Sequence, residues 1–212
     1  MLHALVRSRA LFKESGGRIA YLTAEQEAAI FEALPVELRP LFVASVNTGL
    51  RWSEQTGLCW RDVDMLAGVI TVPRSKNGHT RRVPTNSRVR ALLLDLGAAR
   101  QRPDDPTEPV FPCRHAQADK FFPKAVERAQ ASLKAARKDA SGLDGYTWHC
   151  NRHTFASRLV MAGVDLRSVQ DLGGWRSLAM VQRYGHLAPE HLHEAVERLV
   201  RVESARSDAT SA

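Results

Sequence analysis

In the stretch YTWHCNRHTFASRLVMAG, residues 146–163, two histidines and an arginine fall within five positions, and the chain then continues as an apolar helical pattern. If the segment is helical, His149 and Arg152 stand at i and i+3 on one face, near enough to offer an imidazole and a guanidinium to the same small anion. For an isolated pair of this kind, a helix-capping cation beside a satisfied core histidine is the simpler account. His153 projects to a different side. Zinc is a poor match to His149 and Cys150, because adjacent helical residues point apart and no further pair has ligand spacing.

Two other places carry candidate chemistry. In TGLRWSE, Arg51 follows a glycine that ends a helix and Ser53 stands where it can cap the next one, which would aim Arg51 into a cleft with Glu54 as an orienting carboxylate. The plain alternative is a surface arginine with a first-turn acid. From Arg74 to Arg90 there are six basic residues (Arg74, Lys76, Arg81, Arg82, Arg88 and Arg90) and no acidic one. A ribbon so charged can lie along a nucleic-acid groove and its phosphates, or be a solvated edge hairpin protected by its charges. In GGWRSLAMVQRYGHL, Trp175 follows two glycines and Tyr184 lies near the end of a short helical stretch, where a tyrosine ordinarily packs in the core with its hydroxyl wet.

The elements that must position these groups are mostly helical. In LTAEQEAAIFEALP, Thr23 and Gln26 form a capping box ahead of the stripe Ile30, Phe31 and Leu34, and Pro35 stops the helix. VELRPLFVASVNTG is a second helix closed by Gly49. The period then changes to alternation in GVITVPRSKNGHTRRVPTN, where Val69, Thr71, the Asn77-Gly78 pair and Val83 predict a hairpin. Helices are expected at about 87–97, 116–138, 148–162, 166–172, 178–184 and 189–202. The fold class is α+β, mainly helical, with a small antiparallel sheet. Residues 1–20 are expected to be a linker or the remnant of an upstream segment, and 204–212 a disordered tail.

Composition narrows the partners. Thirty Lys and Arg against 23 Asp and Glu give a formal charge of +7, which favours polyanions. Three scattered cysteines, Cys59, Cys113 and Cys150, fit reduced thiols rather than a disulfide framework. No apolar run approaches the roughly 20 residues of a membrane span, and the N-terminus has no signal-peptide core. A cytoplasmic location without a membrane partner is the expectation.

In combination the motifs are more specific than any is alone. NTGLRWSEQTGLCWRDVD, SKNGHTRRVP, HCNRHTFASRLVMAG and LGGWRSLAMVQRYGHL occur in that order, and the chain resembles the catalytic domain of the tyrosine recombinases, the phage-integrase family, from about Tyr21 to Leu199. The resemblance places the catalytic domain at 21–203 and implies that Arg51 and Arg152 clamp a phosphate, that Lys76 is the hairpin lysine, His149 the helix histidine and Tyr184 the nucleophile. Trp175 stands where most members carry a second histidine; an indole N–H donates a hydrogen bond but shuttles no proton. Arg74, Arg81, Arg82 and Arg88 are then expected to contact DNA, with Glu54 orienting the cationic site and His153 buttressing the fold or orienting its neighbours.

The implied activity is site-specific recombination by cleavage and rejoining of double-stranded DNA through a 3′-phosphotyrosyl link, without ATP, metal or other cofactor. Topoisomerase IB-like relaxation and a non-catalytic DNA-binding module are the alternatives. A homotetramer on paired DNA sites is implied for the complete assembly, and a monomer for an isolated fragment. Members of the family normally carry an additional DNA-gripping domain ahead of this one, so a catalytic fragment or a short relative is expected.

Overall fold

The computed structural model describes residues 19–73, 80–113 and 115–188. Arg74, Lys76, the Asn77-Gly78 turn, the helix expected at 189–202 and both chain ends lie outside the described residues.

Helix α1 (Ala24–Ala33) begins at the expected capping box. The Thr23 hydroxyl accepts the Gln26 N–H, and the Gln26 side-chain oxygen accepts the Thr23 N–H. After a short 3₁₀ turn at Val36–Leu38 comes α2 (Arg39–Thr48), buried along almost its whole length. Phe42 and Val46 face one hydrophobic cluster with α1 and the long helix α5 (His115–Ala135), whereas Leu41 and Ala44 face a second. Its interior hydroxyls stay satisfied by bonding back along the helix, Ser45 to the Phe42 carbonyl at 2.8 Å and Thr48 to that of Ala44 at 2.7 Å. α2 stops at Gly49, which is left-handed at φ 63°. A side chain there would also strike the Phe155 ring, 2.3 Å from where a Cβ would sit.

The short helix α3 (Trp52–Thr56) follows at once. Ser53 lies inside it rather than capping it; Glu54 reaches back instead, its Oε2 accepting the N–H of the N-cap residue Arg51 at 2.8 Å. A three-stranded antiparallel meander comes next: β1 (Val63–Asp64), β2 (Val69–Val72) and β3 (Arg81–Pro84), paired Val63 to Ile70 and Val72 to Arg81 at the register ends. Ile70, Val72 and Val83 turn inward onto Leu41, Leu58 and α4 (Ser87–Ala98), which contributes Val89 and Leu93. The alternation of the hairpin strands is therefore as expected, and β1 adds a strand too short for any pattern to reveal.

Helices α6 (Cys150–Met161), α7 (Leu166–Gly173) and α8 (Ala179–Gln182) surround a third cluster of Ala156, Val160, Val169, Val181 and Tyr184. α6 is tied to the first layer at its start: the Thr154 hydroxyl accepts the Leu22 N–H at 3.1 Å and meets the buried Tyr146 hydroxyl at 2.8 Å. Trp148 wedges between Trp52 and Phe122, ring centroids 5.0 and 4.8 Å away, and so fixes the residue before His149. Among the described residues, no helix is long and apolar enough to cross a membrane.

Candidate active site

Where α3, α5 and α6 converge beside the end of α2, Arg51, His149 and Arg152 line one small pocket of about 150 Å³, together with Leu50, Trp52 and Trp148 and, from α5, Ala118 and the acid Asp119. His149 is the N-cap of α6 and Arg152 lies in its first turn, so the separation of three places both on the pocket side. The glycine that closes α2 supplies a further tether, because the Gly49 carbonyl accepts Arg152 Nη1 at 2.6 Å.

Arg152 is only 4% exposed. Its Cζ lies 3.9 Å from the centroid of the Trp175 ring, an indole–guanidinium stack that is worth about 2 kcal/mol when desolvated. Nη2 is buried and has no hydrogen-bond partner. Burial first, then the neighbouring Arg51 and Arg81 charges, push its pKa down to about 9, so it is still a cation at neutral pH but one short of negative charge.

Arg51 is the outer cation, its side chain 38% exposed. Nη1 donates to Glu54 Oε1 at 2.8 Å and Nη2 to the Gly174 carbonyl at 2.9 Å. Glu54, 6% exposed, is shared: Arg81 grips the same carboxylate with both terminal nitrogens, at 2.9 and 2.7 Å. Burial alone would raise the Glu54 carboxyl, but the Arg81 fork, the Arg51 N–H and the Arg51 guanidinium outweigh it and hold its pKa at about 2. Arg51 and Arg81 bind Glu54 while Arg152 stands beside them, so three guanidiniums face two carboxylates, Glu54 and the pocket-lining Asp119, and the cluster keeps a net positive charge suited to an anion.

The GGW sequence makes this geometry possible. Gly174 caps α7 in the left-handed region at φ 68°, and a Cβ on it would lie 2.9 Å from three atoms of the Arg81 side chain. At Gly173 a Cβ would fall inside the folded-back Trp175 ring, 1.9 Å from its nearest atom. Trp175 is held at both backbone ends by Gln170, whose carbonyl accepts its N–H at 3.0 Å and whose amide donates to its carbonyl at 3.1 Å.

Tyr184 follows α8 and is fully buried, 0% exposed. Its hydroxyl and His153 Nδ1 are 2.5 Å apart, and its ring lies 6.0 Å from that of Trp175. His149 meets His153 edge to face at 5.2 Å. His149, His153, Tyr184, Trp175 and Arg152 therefore form a continuous chain of contacts.

The structure brings together Arg51, Glu54, His149, Arg152, Trp175 and Tyr184, all named from sequence. Of the four arginines expected on DNA, Arg82 is exposed on the outer face of β3, and Arg88 is half exposed but donates to Glu27 at 2.6 Å. Arg81 is turned inward, its side chain 13% exposed, and is engaged by Glu54 and by the Leu172 carbonyl at 3.3 Å. Strand alternation carried this signal, since Arg81 shares a face with the core residue Val83 and Arg82 does not. The direct contact of His153 with Tyr184 was not visible from spacing, because 31 residues separate them.

The phage integrase family model matches residues 20–191, and the chain belongs to that family. It is 30% identical to the integrase of Salmonella phage P22 over 195 residues, covering 86% of this chain and 47% of that protein. It is 33% identical to the tyrosine recombinase XerA of Pyrococcus furiosus over 181 residues, 84% of this chain and 60% of the relative. The chain thus spans about half to three-fifths of the curated relatives it matches. Among solved structures it is similar to the catalytic domain of bacteriophage HP1 integrase, with a TM-score of 0.63 and 26% identity over 85% of this chain and 95% of that one. The mainly helical architecture with a small antiparallel sheet is that of integrase catalytic domains.

Proposed function

We propose that this chain cuts and rejoins double-stranded DNA as a tyrosine recombinase, in the cytoplasm, without metal or nucleotide cofactor. The observation that carries the reading is the buried Arg152 guanidinium, with an unpartnered Nη2, on the same pocket as Arg51 and His149. A cation kept dry at such cost is compensated when a phosphodiester arrives, and its stabilisation grows as negative charge builds on the non-bridging oxygens in the transition state.

In the proposed step the Tyr184 oxygen attacks phosphorus. The P–O5′ bond breaks, a 3′-phosphotyrosyl ester forms, and the departing oxygen takes a proton to become a free 5′-hydroxyl. A free phenol with pKa about 10 is only about a thousandth ionised at neutral pH, so its proton needs an acceptor, for which His149 is the candidate. Lys76 is the candidate acid for the leaving oxygen, a role that a lysine fills when neighbouring cations lower its pKa. Trp175 lends packing to Arg152. The ester conserves the bond energy, so a second strand's 5′-hydroxyl can reverse the step and exchange partners.

Because the Tyr184 hydroxyl is buried against His153, cleavage follows release of the segment that bears it. Coupling that release to assembly, as a tetramer on paired DNA sites, would keep a lone subunit from cutting. Arg82 and Arg74 are proposed as backbone contacts along the hairpin.

The test is a nicked duplex made from DNA flanking the chain's own coding sequence, incubated with protein and EDTA. A covalent adduct that disappears in Tyr184→Phe supports the reading. Tight binding without adduct indicates a binding module, and relaxation of plasmids lacking those flanks indicates a topoisomerase.

A further inference from the structure

Arg81 has the position of a hairpin DNA contact but is placed among the catalytic groups. We infer that Arg81 is a positioning residue for the phosphate clamp, acting on Arg51 through Glu54 and on Arg152 through the Gly174–Trp175 turn. The inference rests on the strand-cleavage reading and extends it to a residue with no part in the bond-making step.

The geometry on the Arg51 side is a shared carboxylate. Arg81 binds both oxygens of Glu54 at 2.9 and 2.7 Å, and Arg51 shares Oε1 at 2.8 Å. Without Arg81, the buried carboxylate has Arg51 as its guanidinium partner, and a one-to-one pair would cancel the charge that Arg51 is meant to offer a phosphate. With Arg81 present the carboxylate orients Arg51 while the trio stays net positive.

On the Arg152 side the link is steric. Arg81 Nε donates to the Leu172 carbonyl at 3.3 Å, and its side chain fills the space in front of Gly174, where a Cβ would lie 2.9 Å away. The Gly174 carbonyl accepts Arg51, and the next residue, Trp175, lies against Arg152 at 3.9 Å. One guanidinium thereby holds the turn that touches both clamp cations.

The experiment uses the full chain with the nicked flanking-DNA duplex, and reads DNA affinity, its salt dependence and the single-turnover adduct rate at saturating protein. Arg81→Gln is expected to lower the rate about 100-fold, the scale of losing one transition-state donor, with affinity and salt slope unchanged. Arg81→Lys, which keeps the charge but not the fork, is expected to recover part of the rate. The defect should shrink on a methylphosphonate duplex, whose reacting group is neutral and needs little cationic clamping. Arg51→Ala combined with Arg81→Gln should be slower than Arg51→Ala alone by clearly less than the factor Arg81→Gln costs by itself, since the Arg51 arm is already lost and only the Arg152 arm remains to lose.

The inference is overturned if Arg81→Gln weakens binding and reduces the salt slope by about 1 while cleaving normally at saturation, which is the signature of a phosphate contact. Additive losses with Arg51→Ala, or an equal defect on the methylphosphonate, also overturn it. If Arg81→Gln fails to give a cooperative melt, Arg81→Lys decides, and a wild-type rate from it is contrary. No adduct from the unaltered chain sinks the cleavage reading itself, whereas adduct at equal rates with and without Arg81 sinks this inference alone.

Discussion

Replacing Glu54 with glutamine should destabilise the protein in a pH-dependent way. The carboxyl has an ordinary pKa of 4.5 and one of about 2 in the folded chain. A carboxylate depressed on folding contributes stability that is fully present above the unfolded value and is lost as pH falls through the folded one. The fall from 4.5 to about 2, at about 1.4 kcal/mol per pH unit, sets a ceiling of about 3.5 kcal/mol, and about 2 kcal/mol remains after solvent screening on the open Arg51 side. Urea unfolding at pH 7 should therefore show Glu54→Gln less stable by about 2 kcal/mol, with Arg81 left without its anionic partner. As pH is lowered from 4.5 towards 2, the difference between the two proteins should decline. Equal stability at pH 7, or a deficit that does not change with pH, would refute the reasoning.

Gly174→Ala should cost about 2 kcal/mol from left-handed strain alone, and the contact with Arg81 should lower the adduct rate further; a urea titration and the cleavage assay read the two effects. His153→Ala should leave the Tyr184 hydroxyl without this partner in the core, a loss of about 1–2 kcal/mol, and should increase chemical nitration of Tyr184; unchanged nitration would remove His153 as its anchor. Lys76→Ala should slow cleavage of ordinary DNA but regain its rate on a 5′-bridging phosphorothiolate, whose leaving group needs no proton, and failure of that rescue would take Lys76 out of the acid role.

Local signals with a short range were legible in the sequence. The Thr23–Gln26 box and the glycine after Thr48 each act within one helical turn, and α1 and α2 start or stop where those residues dictate. The end of α5 was not, because the chain turns at Arg137 in a left-handed conformation, φ 56°, with no glycine to mark it. The helix stops at Ala135 rather than near 138. Ser53 misled for a related reason: the Glu54 carboxylate takes the N–H at the start of α3, and it is held there by Arg51 and by the tertiary grip of Arg81, 27 residues away.

The site residues were legible as chemical types in motifs, while their mutual contacts depend on long-range packing. Arg51 and Arg152 could be named, but not the Gly49 and Gly174 carbonyls that aim them across separations of 103 and 123 residues. Arg81 was read with the basic ribbon because charge is more conspicuous than alternation. Core packing of Tyr184 accords with its place after a short helix, but the expected wet hydroxyl is buried with the ring, against a histidine assigned only a supporting part.

The central claim is that the Tyr184 oxygen becomes esterified to DNA. Protease digestion of protein reacted with the nicked flanking-DNA duplex, followed by mass spectrometry, tests it most directly. The expected product is the peptide containing Tyr184 bearing a 3′-phosphoryl nucleotide, absent from Tyr184→Phe. Nucleotide on another residue, or a cleaved strand with no linked peptide, would contradict the account.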